Sequence, residues 1–160
     1  MSLLDEINEE RELIKNDALT LADHLVDQGK EQIRLGESVR PIIAAIHGDQ
    51  TELFYPQWRN DWERDKKFKE IDTTLSTMDI DATVCRYGGK YLDEAGQSIE
   101  DVRRNPKSVK AIIVELKTAN WKETIIHPYV EVDEVIAWLE PRSLPDYLNQ
   151  TEAIKQPCVN

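Results

Sequence analysis

The chain has few of the residues that stiffen small proteins through cross-links or metals. It carries two cysteines, Cys85 and Cys158, and three histidines, His24, His47 and His127. The cysteines make no CxxC and no disulfide framework, so reduced thiols in a cytoplasm are the simplest expectation. Cys85 lies in an apolar run and is predicted buried, where a thiol is inert. The histidines fall on three different predicted elements. None has a second ligand at metal-motif spacing, so neither a metal nor a cofactor is expected. Serine is scarce and there is no GxSxG, which removes the commonest nucleophile motif. No apolar run approaches the roughly 20 residues of a membrane helix. The start, "MSLLDEINEE", lacks the basic and apolar regions of a secretory leader.

Charge is abundant and mostly negative. The net charge is −11, from 31 acids against 20 lysines and arginines. That excess opposes nonspecific attraction to nucleic acid or anionic lipid and favours neutral or basic partners. A length of 160 residues is most simply one domain, taken as 1–150, followed by a loose tail at 151–160.

Residues 3–34 carry an apolar stripe at Leu4, Ile7, Ile14, Ala18, Leu21 and Leu25, with Arg11 the one polar residue in the row. Threes and fours in that order predict a long amphipathic helix close to heptad spacing. Either the helix packs on a sheet or it pairs with its copy in a dimer. "PIIAAIHGDQTELFYP" reads as a hairpin turning at "HGDQ" and ended by Pro56. A second helix lies within 60–78, with Phe68, Ile71, Leu75 and Met78 on one stripe. Asn60 with Glu63 would cap it early, and Asp65 would cap it late. "DIDATVCRYGG" reads as a strand, with "RYGGKY" as a hairpin or loop, and 88–107 as a polar connection with a short helix at 98–104. "SVKAIIVELKTANWKETIIHP" predicts a second hairpin turning near Ala119–Asn120. Val130–Leu139 is expected as one more strand closed by Pro141, and Leu144–Gln150 as a short helix. Short turns between strands imply a mainly antiparallel sheet of five to six strands. The expected class is α+β, with both helices on one face.

Two stretches compete as the functional site. "ELFYPQWRNDWERDKKF", residues 52–68, holds five of the chain's eleven aromatics, interleaved with charge. Tyrosine, tryptophan and arginine dominate binding hot spots, so Tyr55, Trp58, Arg59, Trp62 and Arg64 are the candidate interface. On a helical wheel Trp62 falls opposite the Phe68 stripe. Either the helix starts after it or it projects into solvent. The second stretch is "AIIVELKTA". Glu115-x-Lys117 resembles the half-motif of the PD-(D/E)xK nucleases, in which acids on adjacent strands hold a divalent metal beside a lysine. That family also needs an aspartate on the preceding strand, and Asp81 and Asp93 are the candidates. The acids Glu131, Asp133, Glu134 and Glu140, opposed only by Arg142, read as a solvent face.

The succession "PIIAAIHGDQTELFYP", a helix, "DATVCRYGG" and "EDVRRNPKSVKAIIVELKT", over residues 39–118, resembles small α+β proteins carried on phages and integron gene cassettes. The resemblance implies a stand-alone accessory protein, often a homo-oligomer, and brings no catalytic residues. The sequence therefore points to a cytoplasmic binding protein, most simply a homodimer, with a protein or small molecule as the other partners to expect. A metal-dependent nuclease using Asp81, Glu115 and Lys117 is the enzymatic alternative.

Overall fold

A long N-terminal helix, α1, runs from Leu3 to Arg34. The computed structural model describes residues 2–91 and 108–145, without the side chains of Asp61 and Pro145. The predicted helix at 98–104, Asp93, the tail and Cys158 lie outside the described residues. Ser2 caps α1: its hydroxyl accepts the Asp5 N–H while the Asp5 carboxylate accepts the Ser2 N–H. Asp5 and Glu6 in the first turn complement the helix dipole. The helix runs on through Gly29 because that residue brings it close to the sheet. A Cβ there would lie 3.0 Å from Ile112 Cδ1 and 3.5 Å from Arg86 Cδ.

Next come β1 (Ile42–His47) and β2 (Gln50–Phe54). They form the predicted hairpin, with His47 paired to Gln50 across a Gly48–Asp49 loop. Gly48 has φ 61°, the left-handed conformation this two-residue turn needs at its first position. Helix α2 (Asp61–Leu75) follows, then β3 (Ala82–Tyr91), β4 (Val109–Thr118), β5 (Lys122–Val132), β6 (Val135–Trp138) and β7 (Arg142–Pro145). Every pairing is antiparallel, in the order β2-β1-β3-β4-β5-β6, and β7 also pairs with β5. This is an α+β fold. No helix among the described residues is long and apolar enough to cross a membrane.

Four expectations are corrected. "RYGGKY" is not a loop: Gly88 and Gly89 pair with Ile112 and Ala111 inside β3, because the β4 ladder overrides their weak strand preference. Val130–Leu139 is not one strand. The chain turns at Asp133–Glu134, and β6 folds back on the end of β5. Leu144 and Pro145 belong to strand β7, not to a helix. β6 and β7 share one lane beside β5. Four residues of β5, from Ile126 to Tyr129, face five on that lane, from Trp138 to Arg142. The extra residue is a bulge in the stretch holding Pro141, which has no N–H to give a ladder.

The helices also do not share a face. Side chains of a strand alternate between faces. Ala44, Val84, Ile112, Val114 and Leu116 pack with Ala18, Ala22, Leu25 and Val26 of α1. Ile43, Cys85, Tyr87, Ile113 and Ile126 pack with Trp58, Phe68 and Ile71 on the α2 side. The central strands are apolar on both faces, so each face requires its own cover.

Candidate binding groove

The segment between β2 and α2 is anchored by one tryptophan. Trp58 is 6% exposed and meets Phe68 and Tyr87 edge-on, at ring-centroid distances of 5.5 and 6.2 Å. Edge-to-face contact of this kind adds to simple burial and fixes the loop to the sheet. The anchored loop delivers Asn60 to the start of α2, where its side chain accepts the Glu63 N–H at 2.9 Å. The early cap is therefore the one used, and Trp62 lies inside the helix. It is 70% exposed. Arg64, four residues before Phe68, shares the sheet-facing stripe and is 1% exposed.

A broad open groove of about 1930 Å³ runs from the C-terminal end of α1 along α2 as far as Ile71. Tyr55, Trp58, Arg59 and Trp62 line it, so four of the five predicted interface residues come together. Arg64 does not line it. It turns under α2 and pairs with Asp65 at 3.1 Å.

The groove is more basic than the rest of this acidic chain. Arg59 is paired: its amide and guanidinium donate to Glu63 at 2.7 and 3.1 Å and hold that carboxyl below its usual range. Lys67 stands 3.8 Å from Glu70. Arg40 and Lys66 have no carboxylate partner among the described residues. Each instead lies over an exposed ring, Arg40 over Tyr55 and Lys66 over Trp62, both at 5.3 Å from the ring centroid. The buried Trp58 indole N–H has no acceptor among the described residues. A lost hydrogen bond to a buried donor costs about 1–3 kcal/mol. The groove thus presents exposed aromatic area and two cations without a carboxylate partner among the described residues.

Arg40 and Lys66 were not among the sequence candidates, although both left a signal. Lys66 follows Trp62 by one helical turn. Continuing the Ile43–Phe54 hairpin register outward sets Ile42 opposite Tyr55, with Arg40 two residues further on and diagonal to the ring.

The described nuclease candidates, Asp81, Glu115 and Lys117, do not converge. Glu115 is paired across the ladder with Cys85 and with Thr124, and Lys117 with Thr83 and Lys122. Asp81 precedes β3 and accepts the Gly48 N–H at 2.8 Å, tying it to the hairpin turn. Asp81 stands four ladder positions from the level of Glu115, roughly 13 Å at strand rise. One cation cannot bridge them. No group of three or more histidine, cysteine, aspartate or glutamate side chains among the described residues could hold a metal. Glu115 instead lies near the fully buried Tyr87 hydroxyl without good hydrogen-bond alignment. Burial first, then the charges of Glu115 and Cys85, raise the Tyr87 pKa well above its ordinary value. The acids Glu131, Asp133, Glu134 and Glu140 are all exposed, and Glu131 stands 3.8 Å from Lys110.

No family model, curated protein or solved structure matches the chain.

Proposed function

We propose that this chain is a cytoplasmic binding protein that self-associates as a homodimer through the groove beside α2. The observation that carries this reading is the pair of cations, Arg40 and Lys66, without carboxylate partners among the described residues, each over an exposed aromatic ring in one groove. Aromatic and arginine side chains of this kind make most of the energy of protein interfaces. The groove also borders Leu53 and Tyr55, 48% and 52% exposed, so apolar area is available for cover. Its openness suits a protein surface better than an enclosed small molecule.

The test is the mass in solution by light scattering, for wild type and Trp62→Ala side by side. Wild type is expected at twice the 18.5 kDa chain mass and the variant at the single-chain mass. Trp62 is largely exposed, so the variant's thermal unfolding should match wild type. A wild type that stays monomeric at tens of micromolar removes the self-association reading.

A further inference from the structure

We infer that the occupant of the groove is the first three turns of α1 from a second copy of the chain. This rests on the self-association reading above and names the two elements that meet.

The 32-residue helix α1 is about 48 Å long. Only its second half covers the sheet. Every residue from 3 to 13 is exposed, and the first buried position is Ala18. The apolar stripe nevertheless continues outward through this arm. Leu3, Leu4 and Ile7 are 72%, 64% and 37% exposed. Spacing that serves packing at Ala18 and Leu25 is therefore kept where none of the described residues buries it.

The arm is also strongly acidic. Asp5, Glu6, Glu9, Glu10 and Glu12 are opposed by Arg11 alone. Two such arms laid against each other would repel. The groove has the opposite character, with Arg40 and Lys66 lacking carboxylate partners among the described residues. Apolar residues with carboxylates on one side meet rings with cations on the other.

An arm cannot reach its own groove. Gln32 lines the groove and accepts the Arg40 N–H at 3.0 Å, which places the groove at the C-terminal end of α1. Residue 3 lies about 44 Å away along the same rigid helix. A second copy with its α1 antiparallel brings each arm to the other's groove. The result is an isologous, closed pair with two identical contacts.

The experiment reverses charge on each side. One variant carries Glu6→Lys and Glu10→Lys; the other carries Arg40→Glu and Lys66→Glu. All four side chains are exposed, and thermal unfolding followed by circular dichroism confirms that both variants fold. By light scattering, wild type is expected at twice the chain mass and each variant alone at the single mass. An equimolar mixture should return to twice the mass, because in the mixed pair a reversed arm meets a reversed groove in one contact and a wild-type arm meets a wild-type groove in the other. An arm variant that remains dimeric beside a monomeric groove variant overturns the arm as occupant and leaves the groove reading standing. Two monomeric variants that fail to reassociate also overturn it. A monomeric wild type removes the self-association reading, and this inference with it.

Discussion

Arg86 and Arg64 are both 1% exposed, yet they lie on opposite faces of the sheet and are held differently. Arg86 points under α1, where its guanidinium donates to the backbone carbonyls of Leu25 at 2.8 Å and Arg40 at 2.7 Å. It ties the middle of α1 to the segment entering β1. Arg64 comes from α2 itself and pairs with its own neighbour, Asp65, whose side chain is 59% exposed. Arg86 shares its face with Leu25, Val39 and Ile112. Arg64 shares its face with Trp58, Phe68, Tyr87 and Glu115. The α1 face is mostly aliphatic around this backbone clamp, with Tyr129, Trp138 and His127 toward the β5–β6 edge. The other combines rings and ionisable groups and continues into the groove. A single sheet thus carries two differently built faces.

The largest effect is expected at the clamp. Arg86→Met keeps most of the volume but leaves two buried carbonyls without their charged donor. Hydrogen bonds to charged groups contribute about 1.5–3 kcal/mol each, less what relaxation recovers, so a loss of about 3 kcal/mol is expected in urea unfolding. A loss below about 1 kcal/mol would mean that apolar burial alone holds α1, and the contrast between the faces would weaken.

The two faces should also respond to opposite ends of the pH scale. On the α2 face, the raised Tyr87 pKa means that the unfolded chain releases this proton before the folded one does. Its contribution is intact below the unfolded value near 10 and is lost as pH rises through the folded value. On the α1 face, burial and the Lys30 charge lower the His127 pKa, against the smaller opposing pull of Asp23 and Asp27. Below about pH 6.5 the unfolded chain therefore takes up the proton first, and stability falls as pH drops. Tyr87→Phe should flatten the alkaline limb of a melting-temperature profile and leave the acid limb alone. His127→Gln should do the reverse. Identical profiles for the two variants would show that neither face owns its limb.

The sequence showed these elements unevenly. The α1 stripe and both tight hairpins were legible because period and turn chemistry are local. Leu4 to Leu25 repeats at helical spacing, and Gly48 and Asn120 sit where a turn is needed. Which face each helix covers was not legible, since a stripe says that a helix packs but not on which side of a sheet. The site was half legible. Tyr55, Trp58 and Trp62 stood out by type, whereas Arg64 was assigned to the surface although its distance of four from Phe68 places it on the buried stripe. The groove itself depends on Arg40 and Gln32, which only the folded chain brings beside residues 53–71.

The smallest expected effect compares two turns at opposite edges of the sheet. The β1–β2 loop gives its left-handed position to Gly48, with φ 61°, and Asp49 has ordinary negative φ. The β5–β6 loop is also two residues long, between the paired Val132 and Val135. There Asp133 and Glu134 take φ of 52° and 67° without any glycine. Left-handed backbone costs an L residue roughly 1–2 kcal/mol, less for aspartate, whose short side chain bonds locally. This is also why the β5–β6 turn escaped notice in the sequence: "DE" carries no glycine or asparagine to announce it. Glu134→Gly should therefore raise stability by about 1 kcal/mol in urea unfolding, because it relieves that cost at an exposed site. Asp49→Gly should lower stability by about 0.5–1 kcal/mol, since it relieves nothing and adds freedom to the unfolded chain. If both changes destabilise, the β5–β6 turn is held by contacts of its side chains, and the two edges of the sheet are made in different ways.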